Sequence, residues 1–113
     1  MILKPGDKVL MVHRRLFEGD SERFFLGAVE EYEHGIARVT GFTFVRESMS
    51  GRVIRKNDPR TKIVSIASGT LIVYQLPADL AIEKAQFITS ESKLTLSDGA
   101  SFTMNVTEHA HTG

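Results

Sequence analysis

The chain contains no cysteine. That excludes a disulfide framework, a thiolate zinc site and a cysteine nucleophile, and it suits a reducing compartment. Formal net charge is zero at pH 7, so the whole molecule lacks the electrostatic footprint of a protein that clings to nucleic acid or anionic lipid. Any such contact must be local. The longest apolar stretch, residues 63–76, is interrupted by Ser65, Ser68, Gly69 and Thr70 and falls short of the roughly 20 residues a membrane-spanning helix needs. The opening Met1-Ile2-Leu3-Lys4-Pro5-Gly6-Asp7 has no long apolar secretory core and breaks at Pro5-Gly6. A cytoplasmic protein with no membrane span is expected. Also missing are an internal repeat, a long segment of helical periodicity, and a glycine loop of the Walker or dinucleotide type. No cofactor is therefore expected.

What remains is 113 residues, 42% hydrophobic and 25% charged, the composition of one globular domain. A chain of this size can bury roughly 65% of its unfolded surface, enough to fold without a disulfide or structural metal. After the Pro5-Gly6-Asp7 turn, residues 8–13 are rich in aliphatic and β-branched side chains and predict a first strand. Residues 14–23 enclose a polar, turn-prone cluster from Glu18 to Glu22 and predict a surface loop. Residues 24–32 read as a strand in which Gly27 marks a bulge, a bend or a close approach of backbones. Glu33-His34-Gly35 supplies a tight turn, and residues 36–45 return as the partner strand. In that strand Ile36, Arg38, Thr40, Phe42 and Phe44 share one parity, so neither face is purely apolar unless Gly41 marks a bulge that switches parity.

Turn clusters at residues 48–51 and at Asn57-Asp58-Pro59 leave residues 52–56 as a short arm. Residues 61–67 and 70–76 are two apolar strands pinched at Ser68-Gly69, and they are expected to form the core. Pro77 has no amide hydrogen and ends the ladder. The following residues 77–85 predict either a short helix capped by Asp79 or, over 81–88, an extended segment. Leu94 and Leu96, then Phe102, Met104 and Val106, alternate with polar residues around Ser97-Asp98-Gly99, a strong hairpin signal. The fold class is therefore all-β and mainly antiparallel: a small SH3-like or Sm-like barrel with a C-terminal β-hairpin, with or without one short helix. Residues 1–107 are expected to form a single domain, in which 77–107 are the C-terminal extension bearing the hairpin. Residues 108–113 are expected to be a flexible tail.

Three stretches together carry a family likeness: Phe25-Leu26-Gly27-Ala28-Val29, Tyr32-Glu33-His34-Gly35-Ile36-Ala37-Arg38-Val39, and Ser68-Gly69-Thr70-Leu71-Ile72-Val73-Tyr74. Over about half the chain this pattern resembles the two-part signature of Sm-like proteins. The resemblance implies a strongly bent five-stranded barrel that oligomerises by pairing strand edges, with single-stranded RNA as a ligand of many members. The chain departs from the family where RNA is read: Glu33 and Gly35 stand in place of an Asp and an Asn, and Ser68 in place of the Arg of an Arg-Gly pair.

The candidate binding surface is the basic segment Arg46, Arg52, Arg55, Lys56, Arg60 and Lys62, opposed only by Glu47 and Asp58. On a projecting arm these side chains could pair with phosphates or an acidic partner. The plainer alternative is a solvated hairpin whose long stems cover apolar strands. Tyr32, Phe42 and Phe44 could add a stacking platform, although Phe is more often core. His109-x-His111 has metal-chelating spacing but reads as tail, and no metal site is expected. Glu30 and Glu31 would point to opposite faces of a regular strand and so could not work as an acid–base pair, and no serine has a motif-borne base. The sequence thus predicts a non-enzymatic binding or assembly module acting through protein–protein contacts, including self-association along residues 63–76. The alternative is a nucleic-acid-associated, RNA-binding regulator that uses residues 46–62.

Overall fold

The computed structural model describes residues 2–13, 22–47, 49–90, 93–100 and 102–107. The tail 108–113, its two histidines and most of the loop from Arg14 lie outside the described residues. The described residues form nine antiparallel strands and one 3-10 turn. Strands β1 (Lys8–His13), β2 (Arg23–Glu33) and β3 (Ile36–Arg46) form a meander, joined between β2 and β3 by a two-residue turn. His34 (φ 48°) and Gly35 (φ 83°) both take left-handed backbone there, as a hairpin turn that matches the strand twist requires. The far edge of β3 carries β4 (Val53–Arg55) on its C-terminal half and β5 (Arg60–Ser65) on its N-terminal half. Residues 56–59 interrupt what is otherwise one strand. After a turn, β6 (Leu71–Leu76) returns to the opposite edge of the sheet and pairs with β1.

Beyond Pro77 the chain makes the 3-10 turn Ile82–Lys84, then β7 (Gln86–Ser90), β8 (Lys93–Ser97) and β9 (Thr103–Asn105) as a second sheet. This corrects two sequence expectations. Asp79 caps no helix, since the turn begins after Ala81 with no side-chain cap, and the extended segment forms a third strand beside the hairpin. Nor is the β8–β9 connection a two-residue Asp-Gly turn. The loop spans residues 98–102, where Asp98 Oδ1 accepts hydrogen bonds from the amides of Ala100 (2.9 Å) and Phe102 (3.2 Å). Among the described residues no helix is long and apolar enough to cross a membrane.

Each face of the first sheet carries a buried core. On the outer face Leu10, Val12, Phe24, Leu26 and Phe44 pack against Phe87, Leu94, Leu96 and Val106 of the second sheet. Phe87 enters between the cross-strand pair Phe24 and Phe44, its ring centroid 4.8 Å from one and 4.9 Å from the other, distances at which aromatic pairs add to simple burial. On the inner face Val9, Met11, Phe25, Val29, Ala37 and Val39 form a separate core. Val64 of β5 and Leu71 and Val73 of β6 pack on that same core from the two ends of the sheet. The sheet is therefore curled, although no β5–β6 ladder closes it among the described residues.

The core expected at residues 61–76 lies elsewhere. Strands β1, β2 and β3 hold it, whereas β5 and β6 are edges: Ile63 is 67% exposed and most of β6 is half-buried. An apolar run records strand propensity on both faces, but whether the strand is central or peripheral depends on its neighbours. The parity conflict in β3 also has a different resolution. Its register with β2 is continuous through Gly41, so there is no bulge at that point. The same outer face is instead bare at Ile36 and Arg38 and packed against the second sheet's core at Phe42 and Phe44.

Gly27 lies directly opposite Gly41. A Cβ on Gly41 would sit 2.0 Å from the Leu26 carbonyl oxygen and 2.5 Å from Gly27 Cα, and one on Gly27 would sit 2.4 Å from the Thr40 carbonyl oxygen. Backbone cannot step aside as a flexible side chain can, so only a glycine pair permits this approach. Gly41→Ala is expected to lower unfolding free energy by about 3 kcal/mol, the upper range for overpacking. Gly35→Ala, where the added methyl meets nothing within 4 Å but the backbone is left-handed, should cost only about 1 kcal/mol. Urea denaturation of both variants checks the ranking.

Candidate functional site

The basic segment does not form one surface. Arg46 is a half-buried clamp, its Nε donating to the Gly51 carbonyl (3.0 Å) and its Nη1 pairing with Glu22 (3.0 Å). It fixes the turn after β3. Arg55 is similarly engaged: its guanidinium lies 4.8 Å over the Phe42 ring and donates to the Glu83 carbonyl (3.0 Å), tying β4 to the 3-10 turn. Arg52, Arg55 and Lys56 are all exposed. Along the seam between β4 and β7 runs an open cleft of about 890 Å³, lined by Arg52, Ile54, Arg55, Glu83 and Ile88, with Phe44 and Phe87 also contributing.

Tyr32, Phe42 and Phe44 do not share one open face. Phe44 is 2% exposed and packed edge-on against Phe87, Phe42 is covered by Arg55, and Tyr32 packs against the inner core. The acidic run is arranged differently from a regular strand. The β2–β3 register shifts between Val29 and Glu31, and a bulge lets adjacent side chains leave the same face. Glu30 accepts a hydrogen bond from Thr40, and Glu31 pairs with Arg38, both on the outer face. Each carboxylate is thus engaged with its own neighbour on β3.

Arg60 and Lys62 belong to a second group at the inner face. Alternation along β5 places Arg60, Lys62 and Val64 on one side, and Val64 packs on the inner core. By the same alternation His13 follows Val9 and Met11 inward on β1, and Arg23 precedes Phe25 inward on β2. His13 and Arg23 are directly opposed across β1 and β2, and the Lys62 ammonium sits 4.6 Å from the centroid of the Phe25 ring. The electrostatics record this convergence. Burial, then Lys62, then Arg23 push the His13 imidazole below its ordinary value. Burial, then Arg23, then Arg60 push the Lys62 ammonium below its own.

Sequence reasoning missed His13 and Arg23 because they lie on strands far from the basic segment in the chain. The available signal was parity: His13 at the end of β1 and Arg23 at the start of β2 share the parity of the inward apolar residues beside them. Among the described residues no group of three or more His, Cys, Asp or Glu is placed to hold a metal. Comparison with protein-family models, curated proteins and solved structures finds no match.

The His13 environment sets a pH dependence. Its folded-state pKa is depressed, so between about 6.5 and that lower value the unfolded chain binds the proton and the folded chain does not. This contribution to stability is fully present above about pH 6.5 and lost as pH falls towards and through the folded value. His13→Gln is expected to reduce the decline in urea midpoint between pH 7.5 and pH 5. An unchanged decline would assign it to other groups.

Proposed function

We propose that this chain is a non-enzymatic binding and assembly module acting through protein–protein contacts along the exposed edges of its first sheet, with a second copy of itself as partner. One observation carries this reading: β5 and β6 lie at the ends of the sheet, each paired with a strand on one side only among the described residues. Ile63 and Ile36 are exposed beside the β5 edge, at 67% and 50%. A row of outward amides and carbonyls flanked by isoleucine is a template for another strand, and β5 of one copy meeting β6 of the next would be a head-to-tail contact that repeats into a ring or filament. The resemblance to Sm-like proteins points to the same mode of association.

The ladder identifies which amides are available. The Ile66 amide donates to the Gly35 carbonyl, so along the regular β3–β5 pairing the amides of Val64 and Lys62 face β3 and that of Ile63 faces outward. Ile63→Pro removes one outward donor and one exposed isoleucine while sparing the internal ladder. In light scattering, the wild type is expected to exceed its 12.6 kDa monomer mass increasingly with concentration, and Ile63→Pro to remain monomeric. A wild type that stays at monomer mass at high concentration would overturn the reading.

A further inference from the structure

The inner-face cations have a chemistry of their own, independent of edge pairing. Four cation-capable side chains from three strands converge there: His13 of β1, Arg23 of β2, and Arg60 and Lys62 of β5. Lys62 and His13 are half-buried. Among the described residues none of the four forms an ion pair with a carboxylate. The ion pairs there are Arg38–Glu31 and Arg46–Glu22, so even Glu22, next in sequence to Arg23, is turned to another arginine.

A plainer explanation covers part of this. An inward lysine on an edge strand can serve as a guard against unwanted pairing, and Lys62 is so placed. That account does not reach His13 or Arg23, which lie on strands paired on both sides. Nor does it explain why like charges are gathered where partial burial already disfavours them. The Phe25 ring offsets some of the cost for one ammonium. It does nothing for the repulsion among the others.

We propose that the rim formed by His13, Arg23, Arg60 and Lys62 is a binding site for a phosphate group. Two guanidiniums offer paired donors suited to phosphate oxygens, and the ammonium supplies a point charge. The imidazole adds a further donor. A phosphate carries enough negative charge to relieve the mutual repulsion of several cations at once, where a single carboxylate relieves less. The shared chemistry is the phosphate itself, whether free or within a nucleotide chain.

The test is a 1H–15N NMR titration with pyrophosphate at constant ionic strength, with chloride as the control. Saturable shifts are expected at the end of β1, the start of β2 and along β5, absent with chloride. Lys62→Met retains the apolar stem over Phe25 but not the charge, and should weaken binding by about tenfold or more. Arg52→Gln, in the separate cleft, should leave binding unchanged. If Lys62→Met does not give a folded spectrum, Arg23→Gln carries the same expectation. A short oligouridylate distinguishes the sources: displacement of pyrophosphate assigns the site to phosphate within a chain, and binding of pyrophosphate alone assigns it to a free phosphate. Shifts equal to those with chloride, affinity unchanged in the charge-removed variant, or binding confined to an acidic peptide would each overturn the proposal.

Discussion

The close approach of β2 and β3 at Gly27 and Gly41 is the constraint on which the rest of the molecule depends. With no side chains on either residue, two backbones meet where a single methyl would lie 2.0 Å from a carbonyl oxygen. The strands curl around that point, which brings Val64 of one edge and Val73 of the other onto the same inner core. Because the sheet curls, its inner face becomes a small interior of its own, and its outer face must find a separate cover. The second sheet supplies that cover, with Phe87 seated between Phe24 and Phe44. A flat sheet of the same strands would bury only one face.

This division of labour separates structural charges from available ones. Arg46 and Arg55 are long side chains used as clamps, one closing the turn after β3 and the other bridging β4 to the 3-10 turn. Lys8 performs a similar task, its ammonium donating to the Leu80 carbonyl on the crossover to the second sheet. The cations on the inner rim are different because the strands that carry them end there, and strand alternation leaves them facing one another. Charge density in sequence therefore misleads about charge density in space. Of the six basic residues in one segment, Arg46 and Arg55 are clamps, Arg52 lines the cleft, Lys56 is exposed, and Arg60 and Lys62 join the rim, whose other two members come from β1 and β2.

Much of the architecture could be read from local chemistry. The meander of β1 to β3, the His34-Gly35 turn and the β8–β9 hairpin follow from alternation and turn residues, which act over a few positions. Gly27 and Gly41 were each legible as special backbone sites, the second as a bulge, but their pairing was not, because it becomes visible only once the register is known. The core was misplaced at residues 61–76 for a related reason. Apolar content marks a strand, yet central or edge position is a property of sheet order, and here β5 and β6 lie at the two ends. The bulge at Glu30 was equally hidden, since one inserted residue reverses which side chains share a face without leaving a compositional trace.

Of the candidate surface, the segment as a whole was visible but its partition was not. Whether Phe42 and Phe44 are exposed or covered depends on the second sheet, which packs over that half of β3 and leaves Ile36 and Arg38 bare. Strands β1, β2 and β3 are the buried centre of the first sheet, and β5 and β6 are its edges. Residue-resolved hydrogen exchange tests this arrangement most directly. The slowest amides are expected in β1 to β3, around Leu10, Leu26 and Val39, with Ile63 and its outward-facing neighbours on β5 exchanging far sooner. Greatest protection at the outward amides of residues 61–76 in the monomer would contradict the account.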